Sequence, residues 1–206
     1  MAPSDKTTKF PGTSAQLVSL VEQARDGKRA AFAQLADQFH EDIFRTVFYR
    51  VRSREDAEDI IQDVFLKAFQ KISSIKDASK FRGWLFSIAL NRIKDFHRKR
   101  RFRSLFKTED ENIESHPSFE ADSDQPEALD RVLREDFWRQ VRLVLDKLSK
   151  MEREVFMLRF FDQLGITEIA GILKKNESTV KTHLYRALAK FKKEPAMRQL
   201  LKEATQ

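Results

Sequence analysis

Apolar residues in this chain recur at intervals of three and four, and almost nowhere at alternate positions. Ala57, Ile60, Ile61, Val64, Phe65, Ala68, Phe69 and Ile72 form one unbroken stripe of that kind. Such a stripe lines one face of an α-helix, whereas in a strand it would be split between both faces. The same period returns in Leu17, Val18 and Val21, in Phe32, Leu35, Phe39, Ile43, Phe44 and Val47, and in Phe137, Val141, Val144, Leu145 and Leu148. Only five glycines and five prolines interrupt 206 residues, too few for a turn-rich β-fold. The chain is expected to be all-α.

The charge pattern divides it. Nine acids and no Lys or Arg lie between Glu109 and Asp130, together with Pro117 and Pro126. The whole chain carries +7, so the remainder carries +16. A segment this acidic and this poor in apolar residues cannot bury enough surface to order itself. The expected layout is a disordered tail (1–14), a helical domain (15–103), a flexible acidic linker (104–134) and a second helical domain (135–206). With no cysteine, disulfides and Cys-based zinc sites are excluded. The first residues have no apolar run of the signal-peptide kind, and no later run is long enough to span a bilayer. A cytoplasmic protein without direct membrane insertion is expected.

Helix boundaries carry their own signals. Asp26-Gly27 breaks the first stripe. Ser53-Arg54-Glu55-Asp56 resembles a capping box with Asp in place of Glu, and Ser149-Lys150-Met151-Glu152 is a full one. Opposite the core stripe of residues 57–72 lie Asp59, Gln62, Asp63 and Leu66, an acidic strip with one exposed leucine that suits a basic partner surface. Residues 73–80 read as a loop. The helix from Phe81 to Arg103 then places Phe81, Trp84, Leu85, Ile88, Ala89, Ile93 and Phe96 on one face and ends in a cationic block around Arg98, Lys99, Arg100, Arg101 and Arg103. Aromatics at one end and cations at the other suit a polyanion with exposed bases.

Near the C-terminus, Ile166, Ile169, Ala170 and Leu173 form a short helix and Lys174-Lys175 a tight turn. Asn176 is a good N-cap for a last helix running to about Lys193. This is the helix-turn-helix plan, whose second helix enters the major groove. With Val180, Leu184, Ala187, Leu188 and Phe191 facing inward, Ser178, Lys181, Thr182, Tyr185 and Arg186 share the outer face. That set offers base-edge and phosphate donors.

Three stretches in this order, Asp56–Phe69 (DAEDIIQDVFLKAF), Phe81–Arg101 (FRGWLFSIALNRIKDFHRKRR) and Ile166–Leu188 (ITEIAGILKKNESTVKTHLYRAL), closely resemble the group IV, or extracytoplasmic-function, sigma factors of bacterial RNA polymerase. The resemblance covers roughly residues 15–195. It implies that Asp59, Gln62, Asp63 and Leu66 dock on the clamp helices of the largest polymerase subunit, and that the flap is a further contact. The −10 element, as opened single strand, would be held by Lys80, Phe81, Trp84, Asn91, Asp95, Arg98, Arg100 and Arg101. The −35 duplex would be read by Ser178, Lys181, Thr182, Tyr185 and Arg186. The linker would run through polymerase toward the active site and RNA exit path. A separate anti-sigma protein is an implied partner; no cofactor, metal site or catalytic residue is. The sequence departs from the family at Lys174, where glycine is usual, and at Thr182-His183, where Ser-Arg is usual. The first departure strains the turn if its left-handed geometry is kept.

Two other readings bear on the same residues. A stand-alone helix-turn-helix regulator would account for residues 135–195 and leave the acidic strip and the aromatic-cationic helix unused. A metal-dependent nuclease would recruit Glu55, Asp56, Glu58, Asp59 and Asp63, but no converging His or Lys is evident.

Overall fold

A computed structural model of the chain describes residues 14–106, 141 and 143–194. The expected tail up to residue 13, the linker from residue 107 and the stripe position Phe137 lie outside the described residues. All regular structure among the described residues is helical, in two compact units, Met1–Ile113 and Glu114–Gln206.

The first unit contains α1 (Ser14–Arg25), α2 (Arg29–Val51), α3 (Arg54–Lys71) and α4 (Phe81–Phe106). Two single 3-10 turns, Ile72–Ser74 and Ala78–Lys80, connect α3 to α4. Helix α1 stops where Gly27 adopts φ +91, a left-handed backbone that glycine takes without a Cβ clash. Helix α2 stops at Arg52, also left-handed, whose N–H donates to Phe48 O. The cap read from sequence opens α3: Ser53 Oγ accepts from Asp56 N–H at 3.3 Å. Helix α4 runs on to Phe106, three residues past the expected end of the domain.

Helices α2, α3 and α4 pack against one another, and α1 covers α2. Leu35, Phe39, Ile43 and Val47 of α2 meet Ala57, Ile61, Val64 and Ala68 of α3 and Leu85, Phe86 and Ala89 of α4 in a solvent-free core. The Phe39 and Phe81 rings meet edge to face at 5.5 Å. Burial of each Leu, Ile, Val or Phe side chain in this core stabilises by about 1.5–3 kcal/mol.

Two parts of the expected pattern need correction. The α3 stripe is narrower than its apolar residues: Phe69 is exposed and meets Phe32 only edge-on, and Phe65 is half-buried against His40. Both lie at the margin of the face that α4 and α2 cover. Helix α4 is buried over a wider arc than one stripe, because it packs on two helices. Phe86 and Leu90 join Leu85 and Ala89 in the core, leaving Trp84 and Ile88 half-buried at its flanks.

In the second unit, residues 143–146 are helical and are followed by α5 (Lys150–Phe156), α6 (Ile166–Leu173) and α7 (Glu177–Lys193). The full capping box forms: Ser149 Oγ accepts from Glu152 N–H at 3.3 Å, and Glu152 Oε2 accepts from Ser149 N–H at 2.9 Å. Helix α5 passes into a π-helical turn, Met157–Phe161, and the Leu164 side chain that follows is fully buried. Val141, Val144, Leu148, Phe156, Ala187 and Phe191 form the core, with the Phe156 and Phe191 rings stacked at 4.3 Å. The turn between α6 and α7 keeps the left-handed geometry: Lys174 has φ 53° and ψ 47°. Lys175 N–H reaches back to Ala170 O at 3.0 Å, and Asn176 Oδ1 caps α7 through Thr179 N–H at 2.8 Å.

Candidate nucleic-acid interface

Helix α3 turns Asp59, Gln62, Asp63 and Leu66 outward together, as their spacing requires. Leu66 is 55% exposed, and Phe69, one turn on, adds a second exposed apolar side chain that periodicity had assigned to the core. The acidic strip forms one wall of a groove of about 610 Å³ between α3 and α4. Asp56, Asp59 and Asp63 line one side, Arg92, Lys99, Arg100 and Arg103 the other, with Phe96 between them. Among the described residues no three His, Asp or Glu side chains converge as a metal site would require.

The candidate −10 residues separate into two groups. Asn91, near the middle of α4, and Arg98, Arg100 and Arg101, in its distal half, are exposed. Asp95 sits among them half-buried, paired with Arg98 at 3.0 Å and Arg92 at 3.8 Å, so it orders cations more than it opposes a phosphate. Lys80 is exposed at the proximal end, on the 3-10 turn that leads into α4, and Trp84 is half-buried nearby on the next turn. Phe81 does not join them. It is 1% exposed, with its ring against Phe39 and Trp84, and belongs to the core in this conformation. Sequence reasoning also passed over Phe102, which is 63% exposed within the cationic block. A lone aromatic in a run of Arg and Lys was the available signal.

In the second unit Ser178, Lys181, Thr182, Tyr185 and Arg186 are all exposed on α7, with Tyr185 the most exposed large hydrophobic side chain among the described residues. Hydrogen bonds pre-position two of them. Ser178 Oγ donates to Asn176 Oδ1 at 2.9 Å and Thr182 Oγ1 to Ser178 O at 2.9 Å. Glu177 accepts from Thr167 Oγ1 at 2.7 Å, joining the start of α7 to α6, and lies 3.7 Å from Lys181. His183 is half-buried, and its Nδ1 has no hydrogen-bond partner among the described residues. The base of α7 is held by Lys190, whose Nζ lies 2.7 Å from Glu152 Oε2.

Residues 35–103 match the family Sigma-70 region 2, and residues 138–191 match Sigma-70, region 4. The chain belongs to the sigma-70 family, in its extracytoplasmic-function group. Sigma factors are transcription initiation factors rather than enzymes, and the two matched regions fall one in each compact unit. The chain is 32% identical over 176 residues to the ECF RNA polymerase sigma factor BldN of Streptomyces coelicolor, a match covering 85% of this chain and 64% of that protein. It is 32% identical over 148 residues to the RNA polymerase sigma factor SigV of Bacillus subtilis, covering 72% and 81% respectively. Its fold resembles that of CnrH, solved in complex with the cytosolic domain of CnrY, with a TM-score of 0.60 and 24% identity over 91% of this sigma factor and 97% of that chain. The sigma factor RpoE of Bartonella quintana, solved with the anti-sigma factor NepR, shares the fold at a TM-score of 0.56, with 24% identity over 83% and 96%. No described helix of this sigma factor is long and apolar enough to cross a membrane.

Proposed function

We propose that this sigma factor is a dissociable promoter-specificity subunit that works in the cytoplasm. Asp59, Gln62, Asp63 and Leu66 dock on the clamp helices of the largest subunit of core RNA polymerase. Lys80, Trp84, Asn91, Arg98, Arg100 and Arg101 hold the opened −10 strand, and Asp95 restrains Arg98 and Arg92 beside it. Ser178, Lys181, Thr182, Tyr185 and Arg186 read the −35 duplex from α7. The protein supplies binding energy for promoter melting and breaks no bond itself. Unstacking costs a few kcal/mol per step, which stacking and phosphate contacts offset.

The observation that carries this reading is the exposed acidic strip on α3 facing an exposed cationic wall on α4. A stand-alone helix-turn-helix regulator has no use for either. An anti-sigma protein that hides these faces until a signal arrives is the expected regulator; RpoE, which shares the fold, was solved with the anti-sigma factor NepR, and CnrH with the cytosolic domain of CnrY.

Run-off transcription with sigma-free core polymerase tests the proposal. Discrete start sites should appear with the protein and vanish with Asp63→Arg and with Arg186→Ala. Duplex binding by the free protein that needs Arg186, without any core-dependent initiation, would favour the regulator reading instead.

A further inference from the structure

The cationic block at the end of α4 points two ways. Lys99 and Arg103, one turn apart, line the groove against α3, whereas Arg98 and Arg101 do not. Asp59 and Asp63 of α3 line the opposite wall, and all four of these groove side chains are exposed. The walls leave about 610 Å³ open between them, over a floor that includes buried Ile60 and half-buried Phe96. Among the described residues no ion pair crosses from one wall to the other. Arg92, also in the groove, turns to Asp95 of its own helix at 3.8 Å, and Asp95 is held from its other side by Arg98 at 3.0 Å.

Such a groove does not suit a nucleic acid. A phosphate backbone carries one sign of charge along its length, so it would gain from Lys99 and Arg103 and lose to Asp59 and Asp63. A protein helix can satisfy both walls. It presents different residues on its two flanks while laying an apolar seam on the floor. Turning that helix end for end exchanges its flanks.

We propose that this groove seats one amphipathic helix of core polymerase, basic on the flank toward α3 and acidic on the flank toward α4, and that the opposed walls fix the direction in which that helix runs. The inference rests on the proposed function, in which α3 docks on core polymerase, and adds Lys99 and Arg103 of α4 to that contact. In the reverse direction Asp59 and Asp63 would meet acids, and Lys99 and Arg103 would meet bases. Like charges brought together across an interface are strongly disfavoured, so the reversed helix is rejected by repulsion as well as by lost attraction.

The chain has no cysteine, so Asp63→Cys and Lys99→Cys each introduce a single thiol. Each full-length variant carries a thiol-linked photocrosslinker, is mixed with core polymerase without DNA, and is mapped for the polymerase residues it captures. Both should land on one helix, on its opposite flanks. Core affinity is measured in parallel by competition with fluorescent wild type. Lys99→Glu with Arg103→Glu should weaken core binding about ten- to hundredfold at low salt, and by less at high salt. Asp63→Lys with Lys99→Glu exchanges the walls and should bind no better than either single variant. Recovery of affinity in that exchanged variant would overturn the inference. So would capture of different polymerase elements from the two positions, or weakened promoter binding with unchanged core affinity in Lys99→Glu with Arg103→Glu; each leaves the sigma-factor reading intact. A salt-sensitive dimer of the free protein that this variant abolishes, again with unchanged core affinity, would overturn it in favour of a second copy as the occupant. Absence of any core binding by the wild type would overturn both readings.

Discussion

Lys174 is the residue whose replacement should stabilise this protein. It closes α6 with φ 53° and ψ 47°, where a side chain brings Cβ close to the following carbonyl. That conformation costs about 1–2 kcal/mol for an L-residue and almost nothing for glycine. The unfolded chain gains freedom with glycine, which offsets about 0.5–1 kcal/mol. The Lys174 side chain is exposed, and its backbone N–H bond to Gly171 O at 3.3 Å does not depend on the side chain. Lys174→Gly should therefore stabilise the second unit by about 0.5–1 kcal/mol, roughly a two- to fivefold shift in the folded-to-unfolded ratio. Native-state hydrogen exchange is the suitable assay, since it resolves the Val180 and Leu184 amides of α7 from the first unit. Their protection should rise by that factor, and the Leu85 and Ala89 amides of α4 should not change. Lys174→Ala separates backbone from side chain, because alanine keeps the Cβ clash; it should be neutral. Equal gains from Ala and Gly, or a loss with Gly, would refute the strain argument.

Removing the Asn176 side chain, which caps α7 through Thr179 N–H, should cost about 1 kcal/mol of second-unit stability in Asn176→Ala by urea denaturation, and Asn176→Asp should recover most of it. Phe156→Ala opens the ring stack on Phe191 and should cost about 3–5 kcal/mol, unfolding the second unit while α4 amides of the first stay protected. The Glu152 carboxyl is held below its ordinary value of 4.5, first by Lys190 and next by the Ser149 N–H. A lowered folded value means the stabilisation is complete above pH 4.5 and is lost as pH falls through the folded value, so acid melting of the second unit should begin at higher pH in Lys190→Ala. Asp95→Asn releases Arg98 and Arg92 from their pairs and should tighten single-strand binding by the holoenzyme at low salt, with the gain disappearing as salt is raised.

Legibility in the sequence followed periodicity and local bonding. Helix existence was readable because α3 and α7 each bury one face, and caps were readable because Ser53, Ser149 and Asn176 bond backbone within three residues of themselves. Burial depth was less readable. Phe69 belongs to the apolar stripe of α3 and Phe86 lies outside that of α4, yet Phe69 is exposed and Phe86 fully buried. What separates them is how many helices pack on that side, which is a tertiary fact. The π-helical turn at Met157–Phe161 and the buried Leu164 were hidden for the same reason: that turn packs against α6, a contact local propensity does not report. Phe81 shows the limit in the site itself. A motif match assigned it to the strand-holding set, and packing against Phe39 places it in the core.

That division between core and face decides which substitutions can report on function. Asp63, Leu66, Lys181 and Arg186 are exposed, and changing an exposed side chain away from caps and turns shifts stability by no more than about 0.5 kcal/mol. Asp63→Arg and Arg186→Ala therefore report on contacts outside the chain. Phe81 is different. Phe81→Ala would remove a ring that packs on Phe39 and Trp84, so loss of promoter opening in that variant would follow from the first unit's instability whether or not the ring ever meets a base. A transcription defect at Phe81 therefore carries no information about −10 contacts, whereas one at Arg98 or Asn91 does.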